Sequence, residues 1–258
     1  MFKYVIDIKD YDVVMADEDL NMYAVEEEFA GDKVIVLYSE ENLSSILNDK
    51  NIEFSEYIID DDWVNKWKEF LKEGKLTENY FYTFDFNKKN ENTIFINPSM
   101  AFGTGDHPTT KIAARLLEDV VEEKTVLEVG SGSGILSILA SKCKAKKVFA
   151  CDNDFATFNN LVENCNNNDV KNIIFWCGSI DSLKKDYKVD VVVANIISSI
   201  LIELISFFEE KAKEYIILSG ILKGENEYFK QFIPSNFYID KELEIDGWWG
   251  ARLRRCLQ

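Results

Sequence analysis

Residues 125–152, TVLEVGSGSGILSILASKCKAKKVFACD, constrain the fold more than any other stretch of the chain. TVLEV reads as a short apolar strand. Glycines follow at 130, 132 and 134, then ILSILASKCK carries a helical pattern, and KKVFAC reads as a second strand ending at Asp152. Strand, glycine turn, helix and strand in that order make a βαβ unit, whose two strands must run parallel with the helix across the sheet.

The alternation continues to the C-terminus. DFATFNNLVENCNNN (154–168), SSILIELISFFEEKAKE (198–214) and GENEYFKQFI (224–233) read as helices. NIIFWC (172–177), VDVVVANII (189–197) and YIILSG (215–220) read as strands, and FYIDKELEIDGWWGARLRRCL (237–257) as a strand pair around Gly247. Apolar strands separated by helices imply a sheet covered on both faces. The expected fold is α/β: a Rossmann-like, doubly wound, mostly parallel sheet over 92–258, with an antiparallel edge. Residues 1–60 read as a small α+β domain, with strands FKYVIDI, DKVIVLYS and IEFSEYII and a short helix in ENLSSILNDKN. Between them, 61–91 is expected to be a linker helix and connection. Trp63, Trp67, Phe70 and Leu71 recur at helical spacing, acids at 60–62 suit a helix N-terminus, and Gly74 is the expected stop.

Composition narrows the functional classes. The formal charge is −17, and the one local basic cluster is RLRR at 252–255, so no direct nucleic-acid partner is expected. A single histidine argues against a zinc site, and no metal is expected. Five cysteines (143, 151, 165, 177, 256) form no CxxC pair and read as small buried hydrophobes in a reducing compartment. No apolar run approaches the ~18 residues of a membrane span, and the N-terminus lacks a signal-peptide pattern. A cytoplasmic monomer without a membrane partner is the expectation.

The glycine loop fails the dinucleotide fingerprint GxGxxG because Ile135 stands at its sixth position. A GxGxG loop suits a ligand with no pyrophosphate to seat on the helix N-terminus. Asp152, 22 residues after Gly130, stands where an acid accepts hydrogen bonds from ribose hydroxyls. A nucleoside carrying something other than a diphosphate is implied, and S-adenosylmethionine fits. Glu128 is a candidate for its positively charged end. Ser179 in CGSIDSL, or the backbone beside it, is a candidate for the adenine edge, although a plain turn reads equally well. Asn195 ends the fourth strand, where open α/β sheets bind ligands. Its amide would accept from a substrate N–H and orient the nitrogen. The alternative is a cap on the following helix, for which Ser198 is itself a candidate.

NPSMAFGTGDHPTT, residues 97–110, holds the single histidine, His107, and two of the three prolines. With LEVGSGSGILSI, DNDFATFNNLVENCNNN, VVVANIISSILIEL, LSGILKGE and the Trp-rich DDWVNKWKEF in order, the chain from about Asp61 onward resembles the ribosomal protein L11 methyltransferase (PrmA) family, class I S-adenosylmethionine-dependent enzymes. The resemblance implies a protein N-methyltransferase acting on amino groups of that ribosomal protein, with a small N-terminal substrate-recognition domain. It implies cofactor contacts from Thr110, Gly130, Asp152 and Asn195, with Phe102, Thr104, Gly132, Gly134 and Asn153 counted beside them, and a catalytic role for Asn195. The 97–110 stretch would lie over the methionine end, with Gly103 and Gly105 giving close approach, Pro108 opening a helix, and His107 bracing the loop rather than acting as a base. Asp106 departs from the pattern, since the family often carries Thr there, and 74–95 lacks the usual Lys-Pro pair. A lysine amine is neutral about once in a few thousand at pH 7, an α-amine roughly ten percent of the time. An α-amine, or a lysine entering an apolar slot, is therefore the expected acceptor.

Overall fold

A computed structural model of the 258-residue chain describes residues 2–10, 13–14, 20, 24–29, 32–39, 42–58, 72–97, 103–184 and 186–256. The chain divides into two compact units, Met1–Phe70 and Leu71–Gln258. The Trp-rich helix expected in the first part of 61–91, with Trp63, Trp67, Phe70 and Leu71, lies mostly outside the described residues.

In the first unit, β1 (Phe2–Asp7), β2 (Ala24–Phe29), β3 (Asp32–Ser39) and β4 (Phe54–Ile58) form an antiparallel sheet in the order β2-β3-β1-β4. Helix α1 (Ser44–Asp49) follows β3. Tyr4, Ile6, Ile35, Leu37 and Leu47 are buried together, from one face of β1, one face of β3 and one helix position. The buried Tyr4 hydroxyl accepts the Leu43 N–H at 2.9 Å, which satisfies its polar end. Strand β2, AVEEEF, is not legible from its three glutamates. Pairing of its whole length with β3 overrides its composition.

The second unit is built on a seven-stranded sheet, ordered β10-β9-β8-β11-β12-β14-β13. Its strands are β8 (Thr125–Val129), β9 (Lys147–Asp152), β10 (Ile173–Cys177), β11 (Val189–Asn195), β12 (Ala212–Leu222), β13 (Phe237–Ile245) and β14 (Trp248–Arg255). The first five in chain order run parallel, and β14 and β13 close the edge antiparallel. Helices α2 (Pro108–Glu118), α3 (Ile135–Lys142), α4 (Phe155–Asn167) and α5 (Ser198–Lys211) connect and cover it. Burial explains the strand sequences: Val191, Val192, Val193 and Ala194 are wholly buried because both faces of β11 are covered. Two core layers result. Ile112, Leu116, Leu136, Ile138 and Leu139 lie in one, and Leu201, Phe208, Ile216, Leu218 and Trp249 in the other. Only Asn226–Phe229 of the helix expected at 224–233 is α-helical, flanked by two single 3-10 turns.

Residues 72–95, which begin in the stretch expected to be a connection and run into the start of the expected α/β domain, carry strands of their own. β5 (Gly74–Lys75), β6 (Phe81–Thr83) and β7 (Thr93–Phe95) make a three-stranded sheet, so Gly74 opens a strand rather than closing a helix. Leu76, Tyr82 and Ile94 are buried in the core of the second unit.

Two composition readings change in three dimensions. Cys151 and Cys165 are buried, but Cys177 and Cys256 are exposed, so the reading as buried hydrophobes fails for those two. The RLRR cluster is largely consumed internally. Arg252 pairs with Asp240 and Asp119, and Arg255 donates to the carbonyls of Glu209 and Ala212 at 2.6 and 2.7 Å. No helix among the described residues is long and apolar enough to cross a membrane.

Candidate active site

The order of the parallel strands reverses between β8 and β11, and at their carboxyl ends a cleft of about 590 Å³ opens. Gly130, Gly132, Asp152, Asp154, Asn195 and Trp248 are among its lining residues. A second cleft of about 410 Å³ shares Gly130, Asp152, Ile196 and Ile200 with the first and adds Asn153, Gly178, Ser179 and Glu203.

The glycine loop is shaped from both sides. Gly130 has φ 74°, and a Cβ on it would lie 2.4 Å from Ile196 Cγ2, so neither the backbone nor the space admits a side chain. Backbone N–H groups of Gly130 and Ser131 both donate to the Cys151 carbonyl, at 2.9 and 3.1 Å. The Asp152 carboxylate accepts from the Gly132 N–H at 2.8 Å and the Asp154 N–H at 3.0 Å, one on each oxygen. Each oxygen keeps a further lone pair for a ligand hydroxyl.

Asn195 is the last residue of β11 and is 8% exposed. Its Nδ2 donates to Thr110 Oγ1 at 3.3 Å, while its Oδ1 is buried with no hydrogen-bond partner among the described residues. A buried acceptor left unpaired is costly, and in a cleft it marks where a donor belongs. Asn195 does not cap α5. Ile197 holds the cap position without a side-chain bond, and Ser198, the other cap candidate, donates to Glu225 Oε2 at 2.7 Å instead. Gly220 completes this corner, because its Cα comes so close to the Ile196 backbone that a Cβ would sit 2.1 Å from the Ile196 carbonyl oxygen.

His107 caps α2: its Nδ1 accepts from the Thr109 N–H at 3.3 Å and lies 2.7 Å from Thr109 Oγ1. A neutral ring bonded this way carries its proton on Nε2. Burial pulls the ring below its ordinary range, Asp106 pulls it back up, and Lys111 adds to the lowering. The ring stands edge-on to Trp248 at 5.1 Å between centroids, and both line the larger cleft. Pro108 is the first residue of the helix. Asp106, the departure in the signature, accepts from the Tyr82 hydroxyl at 3.1 Å and from Lys111 Nζ at 3.2 Å, which ties the loop to β6.

Other sequence candidates fall outside the cleft linings. Thr110 is fully buried beneath Asn195. Gly134 is the N-cap of α3 and packs on Leu161. Thr104 is half-buried in the loop and lines neither cleft. Phe102 lies outside the described residues. Glu128 is buried under the loop and accepts from the Ser137 hydroxyl. Burial lifts its carboxyl to about 8 against the opposing hydrogen bonds of Ser137, which favours the protonated form near neutral pH. Trp248, Ile197 and Ile200 were not singled out from the sequence, yet they line the cleft. The exposure of Ile197 (62%) becomes visible only once β11 is placed beside the glycine loop.

An open sheet with a glycine loop and an acid meeting at its switch point is a nucleotide-binding α/β arrangement, and this strand order, closed by an antiparallel pair, is that of the class I methyltransferase fold. Within that class, a model described as Ribosomal protein L11 methyltransferase (PrmA) matches residues 5–255, and the chain belongs to that family. It is 38% identical over 207 residues to a ribosomal protein L11 methyltransferase of Acetivibrio thermocellus, covering 77% of this chain and 65% of the relative. A Streptococcus pneumoniae protein of the same name is 36% identical over 204 residues, covering 75% and 64%. The chain thus spans slightly less than two thirds of the length of these relatives. The crystal structure of a ribosomal protein L11 methylase from Lactobacillus delbrueckii subsp. bulgaricus superposes with a TM-score of 0.66 at 28% identity, covering 72% of this chain and 100% of that one.

Proposed function

We propose that this chain is an S-adenosylmethionine-dependent protein N-methyltransferase that methylates amino groups, N-terminal or lysine, of large-subunit ribosomal protein L11. The observation that carries the reading is the unpaired Asn195 Oδ1 beside a cleft bounded by Gly130, Gly132 and Asp152. Family membership and the names of the relatives support the substrate. The donor set fits the cofactor. Asp152 has acceptor capacity for ribose hydroxyls, Gly130 and Gly132 permit close approach, and Asn153 and Ser179 line the adjoining cleft, which Asp152 shares.

When bound, S-adenosylmethionine supplies a methyl group already made electrophilic by its sulfonium. The protein's part is then positioning and exclusion of water. Asn195 Oδ1 accepts one N–H of the incoming neutral amine and so aims the nitrogen lone pair. His107 Nδ1 is occupied by Thr109 and takes no proton from that amine, so the amine must arrive neutral or lose its proton to water. Trp248 and Ile197 shield the reacting nitrogen, which favours its neutral form. The small first unit would select the protein substrate, and a monomer suffices for the reaction.

The test is incubation of the purified chain with methyl-labelled cofactor and recombinant ribosomal protein L11, with calorimetry for the cofactor alone. Label on that protein and micromolar cofactor binding are expected. Label confined to other proteins would overturn the substrate, and a chain that binds no cofactor would overturn the activity.

A further inference from the structure

Both ends of the 97–103 segment converge on one residue of the glycine loop. The Ser133 hydroxyl donates to the Gly103 carbonyl at 2.6 Å. The Ser133 carbonyl accepts from Asn164 Nδ2 at 2.9 Å, and Asn164 Oδ1 accepts the Asn97 N–H at 2.7 Å. Asn160, one turn earlier on α4, donates to the Asn97 carbonyl at 3.1 Å, and Asn168, one turn later, bonds both backbone groups of Phe95 at 2.6 and 3.0 Å. Asparagines at i, i+4 and i+8 thus pair with residues 95–97 as a neighbouring strand would. The direction of the Ser133 bond is fixed, since a carbonyl can only accept and the hydroxyl oxygen already accepts from the Ile135 N–H at 3.3 Å. Ser133 is 1% exposed, so these bonds do not compete with bulk water.

We infer that Ser133 is a positioning residue that locks the 103–107 loop, and with it the His107 cap of α2, to the glycine loop that receives the cofactor. The inference rests on the methyltransferase reading. Its consequence is coupling: seating a ligand against Gly130 and Gly132 stiffens the loop that carries His107, through Ser133. Asp152 contacts the ligand directly, whereas Ser133 acts only through the loop it holds.

The test compares the unaltered chain with Ser133→Ala and Ser133→Thr, using S-adenosylhomocysteine as the ligand. In the unaltered chain the ligand should slow amide exchange over 103–107 by about fivefold, the worth of one net hydrogen bond. Ser133→Ala should lose that protection and about fivefold in turnover, with the cofactor dissociation constant changed by less than about twofold. Ser133→Thr, which keeps the hydroxyl, should restore both. Equal protection in the unaltered and alanine chains, or an alanine variant that only melts earlier at undiminished turnover, overturns the coupling. Failure of the unaltered chain to bind the ligand would overturn the methyltransferase reading as well.

Discussion

Asn195 at the tip of β11 and Thr110 in the first turn of α2 meet at 3.3 Å across 85 positions of sequence, with the amide nitrogen on the threonine side. That contact leaves Oδ1 as the amide atom without a partner among the described residues, on a side chain that lines the cleft. Replacing Asn195 with Ala removes the acceptor without touching Asp152 or the glycine loop. A buried hydrogen bond of this kind is worth about 1–3 kcal/mol, so turnover should fall about five- to 150-fold while cofactor affinity persists. Steady-state methylation with calorimetry on the same preparation checks it, and an unchanged rate removes Asn195 from the chemistry.

Asp152→Ala should act on the cofactor instead. The carboxylate holds two backbone N–H groups of the site in place, at 2.8 and 3.0 Å, before any ligand arrives. Its loss both removes the ribose acceptor and frees the loop, and hydrogen bonds to charged groups are worth about 1.5–3 kcal/mol. The dissociation constant should rise at least tenfold by calorimetry, with Asp152→Asn in between.

Gly220→Ala tests the corner behind Asn195. Its φ is +97°, and the new Cβ would meet the Ile196 carbonyl oxygen at 2.1 Å. Backbone strain of this sort costs about 1–3 kcal/mol, and a unit of this size loses roughly 2–4 °C per kcal/mol. A drop of several degrees in thermal midpoint and a loss of turnover are expected together, because residues 195–197 must shift. Gly224→Ala is the control: nothing lies within 4 Å of a Cβ there, and its midpoint should stay put.

Stability should carry the signature of Glu128. Its folded carboxyl titrates at about 8 against an ordinary 4.5, with burial as the main cause. Between those values the folded chain holds a proton that the unfolded chain has released. This group's contribution therefore makes stability fall as pH rises from 4.5 to 8 and level off above. Glu128→Gln keeps the acceptor for Ser137 and removes the titration. The difference in urea midpoints between the two chains should shift steadily in favour of the glutamine variant from pH 5 to pH 8. A pH-independent difference would show that Glu128 stays ionised in the folded chain.

The architecture of the second unit was legible because its elements are local. TVLEV, KKVFAC and VDVVVANII are continuous apolar runs bounded by turn residues, and β8, β9 and β11 begin and end within two residues of them. GENEYFKQFI was legible only in part, since its helical core is a single turn. β2 was illegible because three glutamates form a strand only when β3 is present to pair with. The same holds for 74–95, whose two- and three-residue strands fall below any periodicity.

At the site, the sequence by itself determined which residues could meet: a glycine turn, an acid at the end of the next strand and an amide at the tip of the fourth, each fixed by spacing along one chain direction. Only the tertiary structure decided what those groups face. It turned Glu128 toward Ser137, set Thr110 beneath Asn195, and brought Ser133 to Gly103. Periodicity records which way a side chain leaves its own strand or helix. Its partner, tens of residues away, is chosen by how helices cross the sheet and by the need to pair every buried polar group.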